Sequence, residues 1–93
     1  QRNVTVFADG EVDRSPCGSG TAARVALLAA TGALADGDEL THDSIIGTRF
    51  HAAVAERTAD GVIPDVRGLA HRVGTCTFEL DADDPLSEGF SLR

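Results

Sequence analysis

Lysine and methionine are missing from these 93 residues, and all eight basic side chains are arginines. Without a lysine no Schiff base can form on this chain, so a pyridoxal phosphate mechanism cannot be built within it. Fifteen acids leave a formal net charge of -7, which argues against nucleic acid, polyphosphate and anionic membrane partners. There are only two cysteines, Cys17 and Cys76, far apart and in no C-x-x-C pair. Neither a disulfide framework nor a zinc site is suggested. There is no signal-peptide pattern and no long apolar run, so a cytoplasmic, reducing setting is the default expectation. Internal repeats and low-complexity tracts are also missing. A chain of this length forms at most one domain, burying roughly 60–65% of its unfolded surface. Its own core would be marginal. That, with the lack of methionine and a β-like run close to Gln1, leads us to expect a fragment or excised domain of a longer protein.

What is present centres on Asp13-Arg14-Ser15-Pro16-Cys17-Gly18-Ser19-Gly20-Thr21, which runs into an alanine-rich segment ending at Leu34. The pattern reads as a helix start, with Ser15 as N-cap and Pro16 as the first helical residue. A helix N-terminus carries unpaired N–H groups and partial positive charge, and so receives an anion. A cysteine in that first turn has its thiolate favoured and is available as a base or nucleophile near neutral pH. Gly18 and Gly20 would let a ligand approach the backbone closely. Ala22 to Leu34 is apolar nearly all round, interrupted by Arg24 and Thr31, which predicts a helix buried on all sides and wrapped by sheet. Gly32 weakens its last turns, and Ala35 to Asp38 ends it.

Elsewhere, Val4 to Ala8 predicts a strand closed by Asp9-Gly10, with Phe7 most simply a core residue. Strands are expected over Ser44 to Thr48 and Phe50 to Ala55, and Val62-Ile63 stops at Pro64. His71 to Leu80 alternates, with Cys76, Phe78 and Leu80 on one face, predicting a half-buried strand in which Cys76 is a packing residue. Asp81 to Pro85 reads as an acidic turn and Gly89 to Leu92 as a short final strand. The acids at 81, 83 and 84 lack the twelve-residue loop of a calcium site. His42, His51 and His71 are spaced too irregularly for a metal set. Gly18 to Ala23 fits G-x-G-x-x-A, but the Asp-Arg-Ser-Pro insert and Cys17 separate strand from helix where a dinucleotide turn would be tight. A cysteine-phosphatase loop is one residue out of register and lacks the preceding histidine. A non-catalytic small-anion or nucleotide-binding domain stays open on these grounds.

The nine-residue stretch from Asp13 to Thr21 resembles the second active-site motif of the proline racemase family: proline racemases, 4-hydroxyproline epimerases and trans-3-hydroxyproline dehydratases. The resemblance continues through Ser44-Ile45-Ile46-Gly47-Thr48-Arg49-Phe50, Ile63-Pro64 with Gly68 and Ala70, Asp83-Asp84-Pro85 and Gly89-Phe90. It spans essentially the whole chain, residues 1–93, and implies the C-terminal part of such a protein with an N-terminal domain absent. The implied fold is α+β and diaminopimelate-epimerase-like, a curved, mostly antiparallel sheet around a central helix, this chain being part of one of two such domains. The implied activity is racemisation or epimerisation of proline or hydroxyproline without a cofactor. Cys17 would be one of two proton-transfer groups, the other lying in the absent domain. Asp13 would contact the ring nitrogen, or else only cap the turn, and the N–H groups of Gly18 and Ser19 would hold the carboxylate. At the position matching Phe7, proline racemases carry an aromatic lining the ring pocket. Many dehydratases have Thr where Cys17 stands, so the resemblance favours racemase or epimerase chemistry over dehydration. Homodimerisation is left open.

Overall fold

The structure is a computed structural model that describes residues 1–92. One helix packs on a three-stranded antiparallel sheet, an α+β arrangement: α1 (Gly18–Ala30), β1 (Leu40–Asp43), β2 (Arg49–Thr58) and β3 (Gly61–Arg67), in sheet order β1-β2-β3. β2 pairs with β1 through Leu40 opposite Ala52 and His42 opposite Phe50. It pairs with β3 through Ala52 opposite Val66 and Val54 opposite Pro64, the register slipping between Val54 and Glu56. Such a bulge bends the strand and sharpens its twist.

The period-two pattern of β1 puts Leu40 and His42 inward, and Leu40 meets Val25 of α1 together with Ala52 and Leu34. Each fully buried Val or Leu contributes about 1.5–3 kcal/mol. Leu28, Val54, Val62 and Val66 close the margins of this small core. The outer surface carries ion pairs Arg49–Asp43, His51–Glu39, Arg67–Glu39 and Arg57–Asp36. Apart from the partly buried Asp43 their members are open to solvent, and water screens them.

Several sequence expectations are corrected. α1 ends at Ala30, short of Leu34, because Gly32 takes a φ of 75° and closes a Schellman turn. In it Gly32 N–H donates to Ala29 O at 3.3 Å and Ala33 N–H to Leu28 O at 2.8 Å. Only glycine enters that left-handed conformation freely. The helix is also not buried all round. Thr21, Val25 and Ala29 face the core while Leu27 is 54% exposed, because three strands cover one helix face only.

Val4 to Ala8 is not a strand. The chain doubles back there, Asp13 N–H donating to Thr5 O and Phe7 N–H to Glu11 O, both at 2.9 Å, around a single Val6–Val12 bridge. Phe7 stands on this exposed loop and is not in the core. Ser44 to Thr48 is the tight turn between β1 and β2, closed by Ser44 N–H donating to Thr48 O at 2.8 Å. β3 runs through Pro64 and does not stop there. Edge strands tolerate proline because an N–H facing the open side has no ladder partner to lose.

Residues 68–80 take no regular structure, and Cys76 and Phe78 are exposed, so the half-buried strand and the packing role for Cys76 fail in this chain. Alternation makes a strand only when a neighbouring strand supplies the ladder, and among the described residues none pairs with this segment. The same holds for 89–92. Residues 81–85 hold the expected acidic turn, with Asp83 N–H donating to Asp81 Oδ1 at 2.9 Å, and a further turn runs on to residue 88. No described helix is long and apolar enough to cross a membrane.

Candidate active site

Cys17 occupies the N-cap of α1, two residues later than Ser15, and Pro16 lies outside the helix. The shift has a local cause. Ser15 Oγ accepts Cys17 N–H at 3.0 Å and Ser15 N–H donates to Asp13 Oδ1 at 2.7 Å, so both groups of Ser15 are spent in the approach loop. Helical bonding then begins with Thr21 N–H to Cys17 O at 2.9 Å. The capping acceptor that serine, threonine or aspartate usually supplies is here the sulfur, which receives Gly20 N–H at 3.4 Å.

Cys17 has φ 67° and ψ 124°. Positive φ at a residue with a side chain costs about 1–3 kcal/mol and persists only where the surroundings over-determine it. They do so here. Pro16 is fully buried, and its carbonyl accepts Asn3 Nδ2 at 2.8 Å. Two residues earlier, the Arg14 carbonyl accepts the Thr48 hydroxyl. Thr48 is itself fixed by Ser44, whose hydroxyl lies 2.7 Å from Thr48 Oγ1. The turn between β1 and β2 thus clamps the loop that presents the cysteine.

The electrostatics favour the thiolate. The Ser19 hydroxyl, 3.4 Å from Cys17 Sγ, is the first cause of a thiol pKa held below the ordinary value, followed by Gly20 N–H. The Thr5 hydroxyl adds to this, while partial burial and the Asp13 charge oppose it. A Cβ at Gly20 would sit in ordinary contact with the cysteine, 3.4 Å from Cys17 Cβ and 3.5 Å from Sγ. The N–H groups of Gly18 and Ser19 donate to no atom among the described residues. They stand free beside the sulfur at the positive end of the helix.

The structure therefore brings together Asp13, Cys17, Gly18 and Ser19. Cys17 is neither packed away nor stripped of the two amides, although the anion cradle opens to solvent. A cleft of about 690 Å³ lies on the Asp13 side of the loop, bordered by Arg14, Ile46, Thr48, Phe50 and His71; it does not include Cys17, Gly18 or Ser19. Asp13 spends Oδ1 on the Ser15 amide, and no described group hydrogen-bonds its other oxygen. Among the described residues no three His, Cys, Asp or Glu side chains cluster as a metal site requires. Sequence reasoning misses the hydroxyls of Thr5, Ser19 and Thr48 and the amide of Asn3. Of these, Ser19 lies in the Asp13 to Thr21 motif, and Thr48 carries a signal in the Ser44 to Thr48 motif, whose composition suggests a strand instead of a clamp.

Comparison with known proteins identifies the family. The family model described as proline racemase matches residues 1–91. A trans-3-hydroxy-L-proline dehydratase of Burkholderia cenocepacia is 50% identical over 97 residues, covering 100% of this chain and 29% of its own length. A 3-hydroxyproline 2-epimerase of Burkholderia multivorans matches with the same identity and coverage. The crystal structure of a hydroxyproline epimerase from Agrobacterium vitis, with bound trans-4-hydroxy-L-proline, superposes with a TM-score of 0.76 at 41% identity, over 98% of this chain and 27% of that one. The chain thus spans under a third of the length of the relatives it matches. With the family model covering nearly every residue, this chain belongs to the proline racemase family.

Proposed function

We propose that residues 1–93 are the C-terminal part of an enzyme that racemises or epimerises proline or hydroxyproline without a cofactor, and that Cys17 is one of its two proton-transfer groups. The observation that carries this is the capping sulfur of Cys17 beside the unpartnered N–H groups of Gly18 and Ser19. These are the parts that removal of a proton next to a carboxylate needs. The thiolate takes the α-hydrogen as a proton, the C–H electron pair moves toward the carboxylate, and its growing negative charge is met by the two amides. Inversion is completed when a thiol on the opposite face of the carbon returns a proton. That second group would belong to a domain outside this chain, together forming a diaminopimelate-epimerase-like pair of domains with the substrate between them. The exposed apolar residues of 69–92 and the bare Leu27 face of α1 support a further partner for this piece. Asp13 would hold the ring ammonium through its uncommitted oxygen, fixing both ends of the zwitterion.

A second reading is favoured by one observation, since a dehydratase and an epimerase match this chain at equal identity. Dehydration begins with the same α-proton removal and continues with departure of the 3-hydroxyl as water. Both reactions use Cys17 and the amide cradle, and they part only at the fate of the carbanion.

The test is deuterium uptake in D₂O by the complete enzyme, offered L-proline, trans-4-hydroxy-L-proline and trans-3-hydroxy-L-proline with no added cofactor. Deuterium at Cα with inversion in at least one of them is the expected result. Water loss from the 3-hydroxy acid without inversion would select the second reading. A folded enzyme that labels none of the three and consumes none would contradict both.

A further inference from the structure

The buried polar groups behind the catalytic loop touch neither the reacting sulfur nor the amide cradle. His42 on β1 is 1% exposed and Thr21, in the first turn of α1, is 0% exposed. His42 Nδ1 lies 2.9 Å from Thr21 Oγ1, and that hydroxyl donates to the Pro16 carbonyl over 3.5 Å. The same carbonyl receives Asn3 Nδ2 at 2.8 Å. Asn3 is tied to β1 in turn, its N–H donating to Asp43 O at 2.9 Å. Two chains of contacts therefore leave one strand and converge on the carbonyl immediately before Cys17.

We propose that His42 is a positioning residue for Cys17, acting through Thr21 on the Pro16 carbonyl to hold the cysteine in its left-handed conformation with the sulfur at the helix start. The inference rests on the reading of Cys17 as a proton-transfer group. The peptide between Pro16 and Cys17 is the one whose orientation sets where Sγ points, and a cysteine at φ 67° relaxes unless that peptide is held.

The Asn3 side chain points the same way. Its Oδ1 is buried and has no hydrogen-bond partner, an arrangement that lowers stability. Turning the amide over would set Oδ1 against the Pro16 oxygen, two acceptors face to face. The orientation is thus fixed by the carbonyl it serves, at the expense of the other end of the amide.

The hydroxyl geometry also fixes a proton. Thr21 has one hydroxyl hydrogen. Spent on the Pro16 carbonyl, it leaves Oγ1 as an acceptor toward His42, which must then carry its proton on Nδ1. Burial keeps the imidazole neutral by lowering its pKa, so a single tautomer is specified.

The test uses the complete enzyme and two pairs of substitutions. Thr21→Val and His42→Leu remove the relay at similar volume; Thr21→Ser keeps the hydroxyl, and His42→Asn places an amide N–H near the Nδ1 position. Cys17 alkylation by iodoacetamide and kcat are expected to fall together by roughly tenfold in the first pair, with KM unchanged, as displacement of a reacting group by a fraction of an ångström would cause. The second pair recovers most of the loss. Rates in folded Thr21→Val and His42→Leu equal to those of the parent overturn the proposal, as does failure of folded Thr21→Ser and His42→Asn to recover.

Nitrogen NMR of the unsubstituted protein gives an answer that does not depend on any variant folding. A proton on His42 Nδ1 is expected, and a proton on Nε2 with Nδ1 bare contradicts the relay. If the enzyme without Cys17 still exchanged the α-hydrogen, the catalytic reading would fail while the alkylation and tautomer results stood, so the two failures are distinguishable.

Discussion

Replacing Cys17 with alanine in the complete enzyme is expected to cut exchange of the substrate α-hydrogen with solvent by at least about two orders of magnitude while leaving the protein folded. Loss of a general base positioned at the reacting carbon is worth about 10²–10⁴ in rate, and the Asp13 carboxylate is assigned to the ring ammonium instead. The Ser19 and Thr5 hydroxyls beside the sulfur are donors to the thiolate and are far too weak as bases to take its place. The structural effect is modest because the residue lies at the surface end of α1. Alanine forfeits the cap from Sγ to Gly20 N–H, a loss of about 1 kcal/mol, and water can reach the freed amide. Cys17→Ser is the sharper control. Its hydroxyl preserves the cap but does not ionise near neutral pH, so stability returns and exchange does not. Solvent exchange followed by NMR, alongside thermal melting of the three proteins, checks both halves. Recovery of exchange in Cys17→Ser would mean that the sulfur's acidity is not what the reaction uses.

Gly18→Pro is expected to cut kcat/KM by about 100-fold or more, the usual consequence of removing one donor from an oxyanion cradle, without disturbing the helix. Proline suits the first helical position, where its missing N–H has no intrahelical partner. It asks the preceding residue for an extended ψ, and Cys17 already has ψ 124°. A Cβ at position 18 meets nothing within 4 Å beyond its chain neighbours. Gly18→Ala adds bulk and keeps the N–H, so it should remain within a few-fold of the parent by the same reasoning. Kinetics of the two variants separate the amide from the space it occupies. Equal losses in both would show that the site needs room at position 18, and that the N–H contributes nothing to holding the carboxylate.

The site was more legible in the sequence than the fold. Cysteine between proline and glycine, followed by small residues and then an apolar helix, specifies a reactive sulfur at a helix start through local chemistry alone. The structure keeps Cys17, Gly18 and Ser19 in that arrangement. What moved was the cap itself, from Ser15 to Cys17, because the bond between the Ser15 amide and Asp13 competes for the approach loop. That competition depends on geometry which spacing does not encode. The groups behind the loop were unreadable for a related reason. Asn3, Thr21, His42 and Thr48 are distant in sequence and become neighbours only once β1 lies beside α1.

Strand expectations failed in a different way. Ser44 to Thr48 contains two isoleucines, and its β-branched composition concealed a turn closed by Ser44 and Thr48. In the segment 71–80 the alternation is present, but a strand also needs a neighbour, and none of the described residues provides one. Hydrophobic period reports what a segment can do when paired, not whether a pair is at hand.

The proposed function depends on Cys17 sitting at a helix start as a ready thiolate beside two free amides. The most direct measurement is the rate of Cys17 alkylation by iodoacetamide across pH, followed by peptide mass spectrometry in the complete enzyme, with a short cysteine-containing peptide as reference. Because hydrogen bonds from Ser19 and Gly20 lower the Cys17 pKa, its rate should rise through an inflection at lower pH than that of the peptide, giving more thiolate than a free cysteine has at neutral pH. A planar ring carboxylate such as pyrrole-2-carboxylate, held by the Gly18 and Ser19 amides, should protect Cys17 and leave the peptide untouched. A Cys17 profile that tracks that of the peptide, unchanged by the carboxylate, would contradict the account.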